Sequence, residues 1–424
     1  MRRARPGLAL LLASACLLPT AVGQVVEVTP DSLLDLTPEQ VLDSAARARE
    51  SLPLPTSADI TATLATGRAF LVSAQNEDGS WGGWGGTGPL DEFWSNPYTH
   101  HGWIVATTGL VALALLEVPA DAPDFERAQG ALDRALDYIV AEGDLARPSD
   151  WDVDQTWGYI YGLDALTAAL ADPRYASGDR TRGLRARAVD LVQKLARYQT
   201  PSGGWGYYDF DTLARRPSWA TSFQTAAAIV SLVQARRVGV ELPDGMLPRA
   251  VKALARCRLP NGAYSYDVEA IPRLGRATDI NQVKGSLGRI QAGNYALALA
   301  GHPDVGHDEL VAGLDELFRH HRFLDIARKR PVPHEAYYLN AGYFYFFAHY
   351  YAGKVLELLP PSDRVAYSAR LAREVIKTQE ADGSMWDYPM NRYHKPYGTA
   401  FGVLTLQRAL PPANPYGRGV AGER

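Results

Sequence analysis

Four short stretches of this chain are variants of one loop, and their spacing limits what the chain can fold into. Residues 75–82 read QNEDGSWG and residues 199–206 read QTPSGGWG, while residues 258–265 and 379–386 carry the degenerate copies RLPNGAYS and QEADGSMW. The glycines at 79, 203, 262 and 383 are separated by 124, 59 and 121 residues. Two gaps are double the third, so a period of about 60 residues predicts further loops near residues 141 and 323, and six units in all.

Each unit is predicted to hold two helices of different kinds. Before the loop the helix is amphipathic: Phe125, Ala128, Leu132, Leu136 and Ile139 step by three or four, which places them on one buried face. After the loop the helix is apolar all round, as in residues 105–118, 159–170, 225–233, 292–300, 343–359 and 399–410. Such a helix needs cover on every side. The alternation predicts an all-α fold, an α/α toroid of about six hairpins with inner and outer helix rings. A linear solenoid of helix pairs is the rival architecture.

The loop residues have a structural explanation. Asp-Gly or Asn-Gly supplies a turn in which glycine adopts a positive φ at little cost. The glutamine four residues before that glycine can hydrogen-bond the backbone near the helix end. The aromatic residue after the turn buries a large surface between units. We therefore interpret Trp81, Trp205 and Trp386 as structural residues.

The amino terminus has the pattern of an export signal. Arg2, Arg3 and Arg5 precede an apolar run over residues 8–18 that is too short to span a bilayer, and small residues before Gln24 suit cleavage there. We predict a signal peptide at 1–23, a linker with a short helix at 24–57, the toroid at 58–410 and a tail at 411–424. The protein is thus expected to be exported, with no integral membrane span after cleavage. An uncleaved anchor, or lipidation at Cys16, is the alternative.

Charge and cysteine content narrow the possible partners. The net charge of −4 gives no electrostatic reason to expect nucleic acid as a partner. Once the leader is removed only Cys257 remains, so an internal disulfide is impossible and a zinc–thiolate site would need other ligands. We interpret Cys257, in a helical stretch, as a buried structural thiol and predict no cofactor and no metal.

The loops resemble those of the terpenoid cyclase and protein prenyltransferase toroid superfamily, which includes the squalene–hopene cyclases. The resemblance extends from about residue 58 to residue 410. It implies a proton donor at an Asp-x-Asp-Asp motif, whose nearest match here is Asp152, Asp154 and Gln155, with Asp154 at the donor position. Gln155 replaces the final aspartate and puts alkene protonation in doubt. Helix capping is the alternative role for both aspartates.

The prenyltransferase branch binds zinc through aspartate, cysteine and histidine. His394, just before Tyr397, resembles its zinc histidine, but the cysteine ligand has no counterpart, which argues against that activity. Convergence of His100, His101, His334, His394 and Asp154 around a metal is a weaker possibility, because no tight ligand spacing is present.

Polar residues are concentrated where the inner helices are predicted to begin, at a shared rim with the helix amino termini. Candidate acid–base residues are Asp152, Asp154, His334, Glu335 and His394. Candidate ligand-binding residues are His101, Trp157, Trp219, Gln291, Tyr337, Tyr338, Tyr393 and Tyr397.

Three functions fit such a rim. The protein binds or transforms an apolar isoprenoid-like ligand in its central cavity; it is a hydrolase or lyase that acts on a glycan at the rim; or it is a non-catalytic binding scaffold. The partner is a small apolar ligand or a glycan, and the sequence makes no prediction of oligomeric state.

Overall fold

The computed structural model describes residues 52–85, 97–147, 154–207, 219–268 and 279–410, together with two short strands. The strands, β1 (Leu17–Pro19) and β2 (Val25–Glu27), pair antiparallel. They belong to a first unit, Met1–Leu54, and the described helices belong to a second, Pro55–Arg424. Apart from these strands, the expected signal peptide, the short helix of the linker and the tail lie outside the described residues.

The second unit alternates long helices of two kinds along the chain. Six helices that are buried along one face form the outer set: α1 (Ser57–Ser73), α3 (Phe125–Glu142), α5 (Asp179–Tyr198), α7 (Met246–Cys257), α9 (His307–His320) and α12 (Pro361–Ile376). Six more form the inner set: α2 (Pro97–Leu116), α4 (Gln155–Ala171), α6 (Ser222–Arg237), α8 (Leu287–Leu299), α11 (Phe344–Leu358) and α13 (His394–Ala409). A short helix, α10 (Arg322–Ala327), follows α9.

The inner helices close into a ring. Each packs against the next in the order α2, α4, α6, α8, α11, α13, and α13 packs back against α2. The Gln407 side-chain amide of α13 donates to the Ala114 carbonyl of α2 over 3.0 Å, which fixes the closure. Because the two ends of the array meet, the fold is the predicted α/α toroid rather than a linear solenoid.

Burial explains why the helices segregate. In α5 the buried residues Leu184, Ala188, Leu191 and Leu195 follow one stripe, as expected of a helix with solvent on its other side. In α6, by contrast, every residue from Ser222 to Val233 is buried. Inner helices contact outer helices on one side and each other across the ring, so all their faces need apolar or small residues.

One helix of the described chain, α2, is long and apolar enough to cross a membrane, with a mean hydropathy of 1.3 over its most apolar window. Within the toroid, 78% of that window is buried.

The loop glutamines connect neighbouring hairpins. Gln75 Nε2 donates to the Gly79 carbonyl (2.9 Å) and to the Ala131 carbonyl of the next outer helix, α3 (2.8 Å). Gln199 and Gln379 make corresponding pairs of bonds, to Gly203 and Met246 and to Gly383 and Thr63. The glutamine therefore holds its own turn and also joins that turn to the following outer helix, which in the last loop is α1.

In two of the four loops, the tryptophan that follows the turn has a structural role. Trp81 and Trp205 are fully buried, and their indole N–H groups donate to the Leu71 and Leu195 carbonyls over 2.7 and 2.8 Å. In the fourth loop Met385 occupies this buried position. Trp386, one position later, is partly exposed and packs against His394, so Met385 and not Trp386 takes the buried position of the loop.

Candidate functional site

Aromatic side chains fill the ring where the inner helices begin. Trp157 of α4 stacks on Tyr161 one turn later, with ring centroids 5.8 Å apart. It also meets Phe347 of α11, on the opposite side of the ring, with centroids 6.3 Å apart. Tyr161 in turn contacts Phe401 of α13. Helices from opposite sides of the toroid therefore touch through aromatic rings on the axis.

Phe223, at the start of α6, extends these aromatic contacts, which together form a wall inside the ring. Its ring lies 5.9 Å from Trp157, 5.4 Å from Tyr266 and 5.2 Å from Phe344, measured between centroids. Trp157 is only partly buried, as are Asp154, Tyr207, Trp219, Tyr343 and Tyr397 around it. We call this solvent-reached end of the ring, defined by Asp154, Trp157, Tyr207, Phe223 and Tyr397, the upper mouth.

Asp154 is held in an unusual backbone conformation just before α4. Its φ is 69°, in the left-handed region that non-glycine residues rarely adopt, and its N–H donates to the Tyr207 carbonyl over 3.0 Å. The carboxyl makes no capping bond to α4 and instead accepts a hydrogen bond from the Trp103 side chain. Burial raises the pKa of Asp154 to about 7. The capping alternative therefore does not describe this carboxyl, about half of which is protonated at pH 7.

A chain of hydroxyl groups ends on a neutral histidine. His334 Nδ1 lies 2.7 Å from the Leu339 carbonyl, which can only accept, so Nδ1 carries the proton. Nε2 is then the acceptor for the Tyr343 hydroxyl at 2.9 Å, and Tyr266 lies 3.5 Å away and is bonded to Tyr207. Burial lowers the pKa of His334, which keeps the ring neutral.

A second buried carboxyl lies beneath Tyr397. The Tyr397 hydroxyl donates to Asp387 Oδ1 over 2.7 Å, and the Phe346 N–H donates to Oδ2 over 2.9 Å at the start of α11. Burial raises the pKa of Asp387 to about 6, although these two bonds act in the opposite direction. Sequence reasoning missed Asp387; its only signal is its position directly after the fourth loop.

Four other residues at this end of the ring were missed, because each comes from a loop or a helix face with no distinguishing pattern. They are Trp103, Tyr207, Phe223 and Tyr266. Of the predicted residues, Asp154, Trp157, Trp219, His334 and Tyr397 belong to this end of the ring. Trp219 makes an edge contact with Tyr207 at 5.0 Å and donates to Asp267 over 2.8 Å.

Tyr393 and His394 are placed beside the mouth. Tyr393 is buried, and its hydroxyl bonds His100 Nδ1 over 2.8 Å. His394 Nδ1 donates to the Asn391 carbonyl over 2.6 Å, and its ring packs edge-on against Trp386. Both residues therefore brace the start of α13.

The remaining predicted residues point elsewhere. Gln291 donates to the Gly313 carbonyl of outer helix α9 over 2.8 Å, so it faces away from the axis. Tyr337 is 68% exposed, and Tyr338 packs on Phe323. Glu335 is exposed and lies 3.9 Å from Arg330, and His101 lies towards Asp144, which follows α3. Asp152 falls outside the described residues.

The five groups considered for a metal do not form a metal-binding cluster within the described residues. The one group there with suitable ligand atoms is His321, Asp325 and Glu374, on the outer side of α11. Lys377 already contacts both carboxylates, at 2.8 and 2.5 Å, and His349 Nε2 lies 2.8 Å from His321 Nε2. This group is separate from the upper mouth.

Several solved structures share this architecture. The α-1,6-mannanase GH76A of Salegentibacter sp. HEL1_6 matches with a TM-score of 0.53 at 13% identity, covering 82% of this chain and 99% of that one. A protein from Actinoplanes matches with a TM-score of 0.50 at 15% identity, covering 82% and 99%. The type II terpene cyclase MstE from Scytonema gives a TM-score of 0.49 at 15% identity, covering 84% and 99%. At these identities the first two show a common toroid fold.

Sequence comparison identifies the family. No curated protein sequence matches the chain. Residues 39–269, more than half of its length, match the family model for the squalene-hopene cyclase C-terminal domain. Together with the closed ring and its inner aromatic wall, this match shows that the chain belongs to the squalene-hopene cyclase C-terminal domain family.

Proposed function

We propose that the protein binds an apolar, isoprenoid-like ligand at the upper mouth and donates a proton to it from Asp154. The observation that carries the proposal is a partly buried carboxyl, with a pKa raised to about 7, beside an aromatic wall that solvent reaches. Contact with Trp157, Phe223 and Phe347 removes apolar ligand surface from water, which stabilises the complex by about 25 cal/mol for each Å².

The same wall suits a cationic intermediate. When Asp154 gives up its proton, positive charge develops on the ligand and negative charge on the carboxylate. Aromatic faces attract the cation, and the Trp103 hydrogen bond stabilises the carboxylate that remains. Both groups are in place before the reaction, so little reorganisation is required.

The pKa of Asp154 limits the group that it can protonate. Gln155 stands where the family motif has a further carboxyl, so no acidic neighbour at that position strengthens Asp154 as an acid. A carboxyl with a pKa of about 7 protonates an oxygen atom far more readily than an isolated alkene. We therefore propose that the ligand carries its proton acceptor as an oxygen substituent, such as an epoxide.

Binding is tested by equilibrium dialysis of the full chain with farnesol. We expect saturable binding that Trp157→Ala weakens about tenfold, because one large aromatic contact is lost. Trp386→Ala is the matched control, since that tryptophan lies against His394, away from the wall. Equal weakening in both variants, or preferential binding of mannotetraose over farnesol, would contradict an apolar site and favour the glycan function.

Proton donation is tested separately with an epoxide of farnesol. We expect Asp154→Asn to bind this probe within about twofold of the wild type, because the side chain keeps its size, and to lose its conversion. Because the protonated form is required, the wild-type rate should fall as the pH rises through about 7. Conversion that persists in Asp154→Asn, or no conversion despite binding, would refute the acid role.

Export is part of the proposal and rests on the charged, then apolar, pattern of residues 1–23. Intact mass measurement of the protein from a producing cell should give a mature chain that begins at Gln24. A chain that retains the leader inside the cell would overturn it.

A further inference from the structure

A second group of polar side chains lies inside the ring, towards the carboxyl-terminal ends of the inner helices. Asp164 projects from the middle of α4, and Lys354 and Glu357 come from the last turns of α11, on the opposite side of the ring. Arg408 comes from the last turn of α13. We call this end of the ring, defined by Asp164, Lys354, Glu357 and Arg408, the lower mouth.

Three buried polar groups converge here, and one of them, Asp164 Oδ1, has no hydrogen-bond partner among the described residues. The other two are the hydroxyl groups of Tyr161 and Tyr351, which interact with each other. These residues are only 7%, 4% and 1% exposed. The two hydroxyls adjoin each other across the ring, and Asp164 interacts electrostatically with both. A buried carboxyl oxygen without a partner is rare, so Asp164 Oδ1 points to a missing ligand.

Lys354 also has no direct polar partner in the described part of the chain. Its ammonium lies 6.0 and 5.7 Å from the ring centroids of Tyr295 and Tyr350 and makes no hydrogen bond or ion pair. The nearby carboxylates are already engaged, since Arg408 pairs with Glu117 at 2.8 Å and with Glu357 at 2.9 Å. Lys354 is partly buried, so a small molecule can reach it.

The surroundings of Lys354 shift its protonation equilibrium towards the free amine. Burial lowers the pKa of Lys354, and Arg408 acts in the same direction, while Glu357, Glu117 and Asp164 oppose the shift. Burial raises the pKa of Asp164 to about 7, against a hydrogen bond from Ser231. From the other inner helices, Tyr295 of α8 and Arg237 of α6 also face this region. The shifts favour the nucleophilic free amine of Lys354 and the protonated carboxyl of Asp164 at the same end of the ring.

We propose that Lys354 is a carbonyl-binding residue, whose amine forms a reversible imine with an apolar aldehyde or ketone that enters the lower mouth. The Nζ lone pair forms a bond to the carbonyl carbon, and Asp164 donates its proton to the carbonyl oxygen. The nitrogen then loses a proton to Asp164, water leaves, and the carbon–nitrogen double bond remains. The sum is one carbonyl compound and one amine giving one imine and one water.

The surroundings define the chemical class of the ligand. The rings of Tyr295 and Tyr350 flank the amine and accept apolar or aromatic groups on the carbonyl carbon. The hydroxyls of Tyr161 and Tyr351 can donate to the carbonyl oxygen while the carbon is attacked. This site is distinct from the upper mouth and does not depend on the ligand proposed there.

The test uses the full chain, benzaldehyde as the probe and cyanoborohydride to reduce any imine to a stable benzylamine. Peptide mapping at pH 7 should locate one benzyl group on Lys354, at higher occupancy than on the exposed Lys252 of α7, since a lowered pKa leaves more of the amine uncharged. Lys354→Arg keeps the cation but cannot form the imine, so it should lose the label. Lys252→Arg, the matched control, should keep it.

Two further measurements test the role of Asp164 and the specificity of the label for Lys354. Asp164→Asn should slow labelling of Lys354, because it cannot donate the proton, and a rate unchanged by Asp164→Asn would overturn its role. Labelling spread evenly over exposed lysines, or retained in a folded Lys354→Arg protein, would overturn the site. Farnesol binding should be unaffected by Lys354→Arg, so failure of this site and failure of the upper mouth are distinguishable.

Discussion

The turn glycines give a sharp test of how the ring is held closed. Gly262 and Gly383 have nearly the same backbone conformation, with φ of 80° and 84°. A methyl group added at Gly262 would have no heavy atom within 4 Å, whereas at Gly383 it would lie 2.6 Å from the Thr66 carbonyl of α1. Substitution by alanine therefore imposes the same backbone strain at both positions but a steric overlap only at Gly383.

The magnitudes follow from these geometries. Alanine at a positive φ costs about 1–2 kcal/mol, which is the whole effect expected for Gly262→Ala. For Gly383→Ala, the carbonyl must retreat by several tenths of an ångström, and overpacking of this kind adds about 1–3 kcal/mol. Because Thr66 belongs to the first outer helix and Gly383 to the last loop, the added strain falls on the contact that completes the outer ring.

Urea unfolding followed by far-UV circular dichroism measures both losses. Hydrogen exchange should also show faster exchange in α1 for Gly383→Ala than for Gly262→Ala, since only the former displaces that helix. If the two variants lose the same free energy of unfolding, the loop does not press on α1 and the reasoning about closure is refuted.

Two further predictions concern buried groups. Burial and His321 hold the pKa of His349 at about 3, so its contribution to the free energy of unfolding is greatest above pH 6.5 and falls by about 1.4 kcal/mol per pH unit towards pH 3. In His349→Gln, the difference in unfolding free energy between pH 6.5 and 5 should therefore be about 2 kcal/mol smaller than in the wild type. Identical pH slopes for the two proteins in chemical denaturation would contradict this. Trp205→Phe removes the hydrogen bond to the buried Leu195 carbonyl and should lower the free energy of unfolding by about 1–3 kcal/mol. Trp386→Phe, at a partly exposed position, should lower it less in the same assay. Equal losses would argue against a contribution from the buried hydrogen bond.

The fold was predictable because each loop is stabilised by its own residues and by the inner helix that follows it. In all four copies the N–H two residues after the turn glycine bonds a hydroxyl at or just before an inner helix, as Trp81 does with Thr108 and Met385 with Thr399. The aromatic ring itself is dispensable at this position, since methionine serves in the last copy. Only the bond from each glutamine to the following outer helix was not predictable, because it depends on how neighbouring hairpins pack.

Part of the candidate site was predictable from helical spacing. Trp157 and Tyr397 follow helical spacing, so their place at the rim could be inferred. Between α10 and α11, however, Lys329, His334 and Tyr338 all have positive φ. The chain reverses direction repeatedly there, so residues that are close in sequence to His334, such as Tyr337, point to solvent instead of the axis.

The raised pKa values of the carboxyls inside the ring argue against a purely structural role for these residues. Burial raises the pKa of Asp164 from 3.8 to about 7, so ionising it in the folded protein at neutral pH costs up to about 4 kcal/mol relative to the unfolded chain. The sign is opposite to that of a salt-bridged aspartate: these groups destabilise the fold as the pH rises from about 4 to 7. Asp154 and Asp387 shift in the same direction. Asparagine or leucine would fill such positions at lower cost, so three raised carboxyls inside one ring argue for selection on proton chemistry and not on stability.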